Sequence, residues 1–391
     1  MISVNEALNN IFELVAQLEA EQVGLRDANG RILARSVIAK RDQPPFSASA
    51  MDGYAICSKD LDKGVIKWKV IGEAGAGHGF GGYVKSGQAT RIFTGAPMPE
   101  GTDQVIIQEN VKLRNLVITL SQTPNLEKYV RVAGSDFNSG FTLKAPRLLT
   151  PHDVALMAAM NSPTPWVTRK PKIVIIGTGD ELVQPGEQPN DNQIIASNTY
   201  GLAAMLKAAG ATPRLLPIAR DRLTSLEQVF SLIGTADAVI TVGGASVGDY
   251  DFVSQAASNF GMKQSFYKVA MRPGKPLMAG YLRGIPMIGL PGNPVSAMVC
   301  GEVFLIPLIQ KMLGLPAVPR LRKNGQIGHS LPQNGAREHY MRAKLINGSI
   351  FIEDPQDSSL LTVLANADAL AVRPKDDGPL KEGSNIEYIP L

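Results

Sequence analysis

The stretch that most constrains this chain lies at residues 236–251 and reads ADAVITVGGASVGDYD. Its apolar segment, Ala238–Val242, predicts a buried strand that runs through a glycine pair into the start of a helix. Such a strand end leaves amide groups free at the top of a sheet, where α/β proteins bind phosphates and nucleotides. Asp249 and Asp251 would repel a phosphate unless a divalent cation lay between them. The stretch therefore indicates a magnesium-dependent site for a phosphorylated ligand, and a plain strand-to-helix connection capped by aspartate is the open alternative.

Composition narrows the class of protein. The chain has 391 residues, of which 44% are hydrophobic and 19% charged, as is typical of a soluble globular protein with several domains. Its 39 basic and 35 acidic residues form no long run of either sign, so we expect no nucleic-acid-binding face. The N-terminal residues lack the pattern of a secretion signal, and the apolar run at 303–309 is too short to span a bilayer. We therefore expect a cytoplasmic protein without a membrane-spanning segment.

The residue types also limit the metal chemistry. Cys57 and Cys300 are far apart in the sequence, so neither a disulfide framework nor a zinc site is predicted. The four histidines are scattered, which argues against a histidine metal centre. Any bound metal is therefore expected to be a hard cation held by oxygen atoms.

The N-terminal region opens with a predicted amphipathic helix. Ser3 and Glu6 have the spacing of a capping box, and apolar residues recur at helical intervals as far as Leu18. Further on, residues 43–56 read QPPFSASAMDGYAI and place Asp52 in a tight turn before a strand. A hairpin turn and a functional loop with an exposed carboxylate both remain open, because the residues before the turn do not alternate as a partner strand should.

The next segments predict a small domain and a boundary. Residues 67–113 contain short Val and Ile runs separated by Gly and Pro, which indicates a mainly β domain. Thr150 is predicted to cap a helix that ends near residue 160, and this gives His152 and Asp153 structural roles. Prolines at 163–172 mark a domain boundary.

Residues 172–313 alternate strands and helices, which indicates a doubly wound, largely parallel sheet. The strands are predicted at 172–176, 213–218, 238–242, 266–269 and 286–290, and the helices at 198–209, 223–233 and 293–313. Ligands of such sheets bind at the carboxyl ends of the strands, where this chain carries acidic and basic turns. Lys275 lacks the glycine spacing of a Walker lysine, and Asn293 is interpreted as the cap of the last helix.

The C-terminal part predicts a small β barrel or sandwich. A boundary at 316–324 is followed by closely spaced strands, predicted at 340–346, 349–353, 369–373 and 385–389. Its polar candidates are Arg337, Arg342 and the turn at 356–359, and each is interpreted as a surface feature.

Six motifs together resemble one known family. They are PPFSASAMDGYA, FTGAPMPEG, GTGDEL, GGASVGDYD, RPGKP and LPGNPVS, and they occur in the order found in the molybdopterin molybdenumtransferase family, the MoeA-type enzymes that include the gephyrin E domain and the plant molybdenum insertase. The resemblance implies a multi-domain α/β plus β fold. Its parts would be an elongated N-terminal arm (1–40 and 138–170), an inserted β-rich domain (41–137), a doubly wound molybdopterin-binding α/β domain (171–315) and a C-terminal β barrel (316–391).

The same resemblance implies an activity and an assembly. Enzymes of this family take adenylylated molybdopterin and molybdate as substrates, hydrolyse the adenylate in a Mg²⁺-dependent step, release AMP and leave molybdenum on the dithiolene. The resemblance further implies a homodimer whose active cleft is shared between subunits, with Asp52 reaching the sheet domain of the partner. Other cofactor-biosynthesis proteins and apo-molybdoenzymes are the expected protein partners.

Site residues follow by matching positions in the motifs. The resemblance implies catalytic roles for Asp52, Glu181, Asp221 and Asp251, and magnesium ligands at Asp221, Asp249 and Asp251. The implied substrate-binding positions are Thr94, Asp136, Gly243, Gly244, Ser246, Arg272, Lys275, Pro291, Asn293, Ser296, Arg337 and Ser358. Arg272 stands where the family usually has a lysine, which keeps the charge but adds a forked donor. Ala245 stands where valine is frequent, and we expect this change to be neutral.

Three other interpretations stay open. A molybdopterin adenylyltransferase shares the GGxSVG sheet domain, but it would leave PPFSASAMDGYA and the C-terminal domain without a role. A tungsten-inserting enzyme would use the same donors, because the two oxyanions are nearly isosteric. A scaffold that anchors other proteins would not need the acidic turns.

Overall fold

The computed structural model describes residues 1–122, 127–244 and 252–391. Its first helix, Val4–Glu13, begins with the predicted capping box: the Glu6 amide donates to Ser3 Oγ (3.2 Å) and the Ser3 amide donates to Glu6 Oε2 (2.7 Å). The apolar face of this helix packs into the same core as the central sheet. The helix ends earlier than the apolar pattern to Leu18 predicted. The chain turns after Leu14, and the Leu18 amide donates to the Met312 carbonyl instead of to a helical carbonyl.

Two distant parts of the chain form the arm sheet. Its strands, in spatial order, are Ala20–Gln22, Trp166–Thr168, Ile32–Leu33 and Arg147–Leu148. The short strands Val37–Ile38 and Thr142–Leu143 pair beside it. The predicted helix is present as Pro151–Ala159, with Thr150 and Asp153 forming a second capping box. Asp153 also pairs with Arg147 at 2.9 Å, so its structural role is confirmed.

The predicted β-rich segment forms a second sheet. Its strand order is Gln104–Ile107, Gly53–Ile56, Gln88–Ile92, Lys67–Ala74, Val117–Leu120 and Val111–Arg114. The strand after Asp52 pairs with its two sheet neighbours, whereas Ala48–Ser49 pairs with Val130–Arg131. Asp52 therefore lies in a loop between differently paired strands and not in a hairpin turn. Short helical segments at Lys59–Asp62, Leu25–Asp27 and Gln108–Asn110 connect these strands and those of the arm.

The central sheet is the doubly wound sheet that the sequence predicts. Its strand order is Thr212–Leu215, Lys172–Gly177, Ala238–Val242, Ile285–Leu290, Met278–Leu282 and Met262–Tyr267. The first four strands are parallel, Met278–Leu282 runs antiparallel to them, and Met262–Tyr267 pairs antiparallel with Met278–Leu282. Helices cover the sheet at Asn198–Ala208, Leu223–Ser231 and Phe252–Asn259, and a longer helical stretch runs as Pro294–Cys300, a π-helical turn Gly301–Leu305 and Ile306–Met312. Coverage of both faces explains why every residue of Ala238–Val242 is buried.

Two details of this sheet correct the prediction. The strand expected at 266–269 begins earlier and is observed as Met262–Tyr267, and Met278–Leu282 was not predicted at all. Met278–Leu282 forms a hairpin with Ile285–Leu290, so it turns the sheet antiparallel at this edge. Among the described residues, the helical stretch Pro294–Met312 is long and apolar enough to cross a membrane, but 72% of it is buried inside the protein, as expected for a core helix.

The C-terminal strands close into a barrel, which confirms the first of the two predicted architectures. Their order is Glu338–Ile346, Ser349–Ile352, Lys323–Ile327, Asn385–Pro390 and Ala369–Arg373, and the last strand pairs back onto the first. A short helix, Leu361–Asn366, precedes the strand Ala369–Arg373 in the sequence. Met271–Arg272 pairs with Glu338–His339, which joins a loop of the central sheet to the barrel. This junction brings residues far apart in the sequence to one place.

Candidate functional site

A first cavity, the sheet-edge cavity, opens at the carboxyl ends of the central strands. It encloses about 410 Å³, and its walls come from the ends of three parallel strands and from the small parallel pair Leu182–Val183 and Ile194–Ile195. Its lining residues are Gly177, Thr178, Glu181, Leu182, Ile194, Ile195, Ala196, Ser197, Asn198, Thr199, Val242, Gly292, Asn293, Pro294 and Ser359. The cavity therefore lies at the predicted edge of the sheet and contains Glu181 and Asn293 of the predicted site.

The glycine pair ends the central strand as predicted, but its first amide is not free. Gly243 donates its N–H to the carbonyl of Leu290 at 3.1 Å, so this amide belongs to the sheet. Gly244 has φ of +64°, and a Cβ there would lie 2.1 Å from a methyl group of Val253, so no larger residue is accommodated. The predicted residues Ser246, Asp249 and Asp251, and Ala245, lie outside the described residues.

An acidic group stands beside the sheet-edge cavity. The Asp221 amide donates to Asp180 Oδ1 at 3.1 Å, and Arg220 donates to the carbonyls of Asp180 and Leu182, both at 2.9 Å. This arrangement holds two turns together. Burial raises the pKa of the Asp221 carboxyl, and the nearby charges of Asp180 and Glu181 raise it further. The turns therefore carry closely spaced negative charge.

The carboxylates that the structure describes do not by themselves test the predicted magnesium site. In the described ranges, no three His, Cys, Asp or Glu side chains converge tightly enough to hold a metal ion. Two of the three predicted magnesium ligands, Asp249 and Asp251, are outside those ranges. Asp221 is the one predicted ligand that the structure describes.

A second cavity, the cationic cavity, lies where the central sheet meets the barrel. It encloses about 300 Å³ and is lined by Arg272, Pro273, Gly274, Lys275, Pro276, Ser296, Arg337, Gln356, Asp357 and Ser358. Five predicted substrate-binding residues thus meet here: Arg272, Lys275, Ser296, Arg337 and Ser358. Arg272 and Ser358 are 86 positions apart in the sequence (358 minus 272), and the closure of the barrel brings them together.

The charge balance of the cationic cavity is strongly positive. Asp357 is its one acidic lining residue, and its Oδ1 accepts hydrogen bonds from the Ser359 amide (2.8 Å) and hydroxyl (2.6 Å), which lower its pKa. His339 lies between Arg272 and Arg373 in the strand register. Burial, followed by the charges of the surrounding arginines, lowers the pKa of His339 to about 4. Such a field attracts an anion with more than one negative charge.

The two cavities share a wall. Asn293 Nδ2 donates to Ser358 Oγ at 2.9 Å, and the Val295 amide donates to the Ser358 carbonyl at 3.0 Å. Asn293 and Ser359 line the sheet-edge cavity, whereas Ser358 lines the cationic cavity. Asn293 occupies the N-cap position of Pro294–Cys300, but its side chain makes no capping hydrogen bond, so the predicted capping role of that side chain is wrong. Its amide joins the sheet domain to the barrel instead.

The loop that carries Arg272 and Lys275 packs closely against the core. Gly274 has φ of +106°, and a Cβ at this position would lie 2.5 Å from the sulfur of buried Cys300. The Val269 amide donates to the Lys275 carbonyl at 3.0 Å. The tight contact between loop and helix therefore sets where the two basic side chains emerge.

Asp52 lies in the loop immediately before the strand Gly53–Ile56 of the second sheet and lines neither cavity. Its Oδ1 accepts hydrogen bonds from the amide (2.8 Å) and the hydroxyl (2.9 Å) of Thr94, and these bonds lower its pKa. Arg91 donates to the neighbouring Gly53 carbonyl at 3.0 Å. The structure thus brings Asp52 and Thr94 together and leaves the carboxylate exposed.

The remaining predicted residues stand apart from both cavities. Asp136 is exposed, and its amide donates to the carbonyl of Gln43 at 3.0 Å. Pro291 is buried and lines neither cavity. Polar lining residues that are absent from the predicted site are Thr178, Ser197 and Asn198, together with Gln356 and Ser359, which were named only as surface residues of the turn at 356–359. Their one available signal was position, since all of them follow or precede predicted strands or helices.

Arg342 corrects the interpretation of the barrel's polar residues as surface features. Its relative exposure is 0%, although it is a charged residue on a short predicted strand. Its guanidinium donates to the carbonyls of the turn that carries Ser358. Arg337, by contrast, is half-buried and lines the cationic cavity.

Comparisons with known proteins cover almost the whole chain. Family models match three successive parts: the MoeA N-terminal region (domain I and II) at residues 2–161, a probable molybdopterin binding domain at 174–311 and the MoeA C-terminal region (domain IV) at 324–391.

Individual proteins agree with these models. The chain is 36% identical to a molybdopterin molybdenumtransferase of Nostoc sp., over all of this chain and 94% of that protein. It is also 36% identical to one of Haemophilus influenzae, over 80% of this chain and 78% of that protein. A crystal structure of a molybdopterin biosynthesis MoeA protein from Pyrococcus horikoshii superposes with a TM-score of 0.87 at 27% identity, over 100% of this chain and 99% of that one.

Proposed function

This chain belongs to the MoeA family of molybdopterin molybdenumtransferases, transferases of molybdenum cofactor biosynthesis, and from that premise we propose that it transfers molybdenum from molybdate to adenylylated molybdopterin. In the proposed reaction the adenylate is hydrolysed, AMP leaves and molybdenum stays on the dithiolene. The observation that carries the proposal is the pair of adjoining cavities, one at the carboxyl edge of the central sheet and one strongly cationic.

The cationic cavity suits molybdate. Molybdate is a tetrahedral dianion, and it needs positive charge and hydrogen-bond donors on several sides. Arg272 and Arg337 supply forked donors, and Lys275 supplies a compact charge. The hydroxyl groups of Ser296 and Ser358 supply neutral donors in the same lining. We therefore assign molybdate to this cavity.

The sheet-edge cavity suits the adenylylated pterin. Its polar lining includes the hydroxyl of Thr178 and the amide side chains of Asn198 and Asn293, and its apolar lining includes Ile194 and Ile195. A flat heterocycle with a phosphate tail matches this combination of apolar walls and convergent polar groups. Under this proposal the pterin sulfurs would lie beside the wall that the two cavities share, next to the oxyanion.

Magnesium would be held by the acidic group beside this cavity. Asp221, with Asp180 and Glu181 as neighbours, offers oxygen donors, and their accumulated negative charge suits a hard divalent cation. Asp249 and Asp251 would complete the set. When bound, Mg²⁺ would neutralise charge on the phosphate that is cleaved. The protein's own part is to fix these turns, which Arg220 does through the carbonyls of Asp180 and Leu182.

Reconstitution tests the proposal. Purified protein, adenylylated molybdopterin, Mg²⁺ and molybdate are expected to yield AMP and to activate an apo-molybdoenzyme, and EDTA is expected to abolish both signals. The matched control is the Lys275→Met variant, which should fail to activate the apo-enzyme. Formation of adenylate from molybdopterin and ATP, without AMP release from the adenylylated pterin, would identify an adenylyltransferase instead.

The proposal also covers which oxyanions bind the cationic cavity and how the protein assembles. Tungstate is expected to compete with molybdate, because both oxyanions can bind the positive charges and hydrogen-bond donors of the cationic cavity.

We further propose a cytoplasmic homodimer in which the exposed Asp52 of each subunit completes the cleft of the other. Other cofactor-biosynthesis proteins and apo-molybdoenzymes are its proposed protein partners, and a purely scaffolding role would leave AMP release absent in the reconstitution.

A further inference from the structure

A half-buried arginine of the second sheet, Arg91, stands behind Asp52 and has no part in the predicted site. It lies in the strand Gln88–Ile92, opposite Tyr54 of the neighbouring strand. Its guanidinium carbon lies 4.7 Å from the ring centroid of Phe93 and 5.1 Å from that of Tyr54. Aromatic rings at these distances attract a guanidinium and restrict its movement. The position of the Arg91 side chain is therefore set by its own strand and by the next one.

The side chain of Arg91 closes a bracket around the backbone of Asp52 and Gly53. Its Nη1 donates to the Gly53 carbonyl at 3.0 Å, and its Nη2 donates to Gln108 Oε1 at 2.7 Å. The Gln108 amide in turn donates to the Asp52 carbonyl at 3.1 Å. A Cβ on Gly53 would lie 2.0 Å from the Ile106 carbonyl oxygen, so this backbone also fits tightly against the neighbouring strand. One arginine and one glutamine thus hold two successive carbonyls.

These side-chain bonds are additional to the bonds that form the sheet. The strand after Asp52 is already paired on both sides, with Gln88–Ile92 and with Gln104–Ile107. Asp52 itself precedes that strand and is exposed, so the bracket extends the order of the sheet to this residue. Thr94, in the loop after the strand of Arg91, then fixes the carboxylate. One short stretch therefore orients both the backbone and the side chain of Asp52.

Arg91 also contributes positive charge at this point. Both oxygen atoms to which it donates are neutral. Hydrogen bonds from Thr94 lower the pKa of the Asp52 carboxyl, and the charge of Arg91 lowers this pKa further. The carboxylate of Glu109 borders the same network and accepts a hydrogen bond from Gln108 Nε2 at 3.2 Å. Arg91 thus favours the ionised form of Asp52 while its hydrogen bonds hold the backbone.

We propose that Arg91 is a positioning residue for Asp52. Through the Gly53 carbonyl and Gln108 it holds the Asp52 carboxylate in the exposed direction from which a substrate can reach it. This role rests on the proposed function, in which Asp52 takes part in hydrolysing the adenylate. Arg91 acts through Asp52 and does not contact the substrate, so its loss should slow the reaction and leave substrate affinity unchanged.

Steady-state kinetics of AMP release test this role in the full-length protein. The kcat, the KM for adenylylated molybdopterin and the pH dependence of kcat are measured for the wild type, Arg91→Met, Arg91→Lys and Arg114→Met, with the thermal midpoint recorded for each. Arg114 is the control, because it is exposed on the far edge strand of the same sheet. Arg91→Met is expected to lower kcat by about tenfold at unchanged KM, since the carboxylate is no longer held in place. Its acidic limb should move to higher pH, because a charge that favours ionised Asp52 is gone.

Arg91→Lys separates the two contributions. Lysine keeps the positive charge but lacks the forked donor that reaches the Gly53 carbonyl and Gln108 together. The acidic limb is therefore expected to stay near its wild-type position while kcat remains lowered. If Arg91→Met does not fold, this variant decides: a lowered kcat at unchanged KM supports the role, and a wild-type kcat overturns it.

The other outcomes are equally distinct. Kinetics of Arg91→Met that match those of Arg114→Met overturn the positioning role. A raised KM at unchanged kcat overturns it as well, because Arg91 would then contact the substrate directly. A lowered kcat with an unmoved acidic limb would show that the loss does not pass through Asp52. A wild-type protein that releases no AMP overturns the proposed function instead, and this failure is visible before any variant is made.

Discussion

At the scale of single residues, Asp52 is exposed and is nevertheless held in one orientation by hydrogen bonds. Asp52 directs Oδ1 to both donors of Thr94, and its backbone carbonyl accepts a hydrogen bond from the Gln108 amide at 3.1 Å. The Thr94 hydrogen bonds stabilise the charged carboxylate and lower its pKa. Asp52 is therefore ionised throughout the neutral range and held in one direction.

Replacing Thr94 by valine removes the hydroxyl donor and keeps the shape. The pKa of Asp52 is expected to rise toward its ordinary value, because a hydrogen bond to the charged form is lost. If the ionised carboxylate is required, the acidic limb of the pH–rate profile of AMP release moves to higher pH, and the rate near neutral pH changes less. Thr102→Val, which removes the hydroxyl bonded to the Pro99 carbonyl, is the control. An unmoved acidic limb in Thr94→Val contradicts this role.

At the scale of elements, one carboxylate ties the starts of two central strands to the arm. Asp237 accepts two hydrogen bonds from Arg169 (2.7 and 2.8 Å) and one from the Lys172 amide (2.7 Å). Arg169 also donates to Glu19 at 2.6 Å. Lys172 begins one strand and Asp237 immediately precedes the next, so this network sets their relative register.

Replacing Asp237 by asparagine is expected to lower the free energy of unfolding by about 2 kcal/mol at neutral pH, because Arg169 loses its charged partner. Burial by itself raises the pKa of Asp237, but the hydrogen bonds from Arg169 and Lys172 outweigh it and lower the pKa below its ordinary value of 3.8. The stabilisation is therefore complete above the unfolded-state pKa and is lost as pH falls through the lower folded-state pKa.

Denaturant unfolding at neutral pH and in strong acid measures this effect. The difference between wild type and Asp237→Asn should vanish in acid, where the wild-type carboxyl is protonated in both states. Asp191→Asn, at an exposed loop position, is the control and should change little at either pH. A difference that persists unchanged in acid would show that the pair does not stabilise the fold through its charge.

At the scale of the whole molecule, the predicted catalytic groups that the structure describes fall in two places: Glu181 and Asp221 are neighbours at the sheet-edge cavity, and Asp52 is not part of that group. Glu181 lines the sheet-edge cavity and Lys275 lines the cationic cavity, whereas Asp52 lines neither. The exposed apolar residues Phe46 (43%) and Met51 (44%) precede Asp52 in the same loop region. A second copy of the chain could supply the missing carboxylate, as the proposed shared cleft requires.

Mixed dimers test this arrangement. Asp52→Asn and Lys275→Met are each expected to be inactive alone. Co-assembled, they should regain roughly a quarter of wild-type activity, because half of the randomly formed dimers carry one intact cleft of two. Glu181→Gln mixed with Lys275→Met is the control and should stay inactive, since both residues come from the same side of every cleft. Activity is measured as AMP release, and no recovery in the first mixture would exclude the shared cleft.

The sequence alone determined the local elements and the class of chemistry. Both capping boxes, the buried strand Ala238–Val242 and the largely parallel sheet follow from contacts within a few residues or from periodic burial. The family resemblance also follows from motifs that are contiguous in the chain. Predictions failed where distant parts of the chain interact. The opening helix ends at Glu13, and the Leu18 amide bonds the distant Met312 carbonyl; the Asn293 side chain bonds Ser358 instead of capping its helix.

Only the tertiary structure decided which of these motifs meet. The cationic cavity joins Arg272 and Lys275 to Arg337 and Ser358 because the barrel closes on itself and pairs with the loop at 271–272. Burial of Arg342 follows from the same closure. The physical reason is that strand register and barrel closure depend on the sum of many weak contacts between distant segments, which no local stretch of sequence encodes by itself.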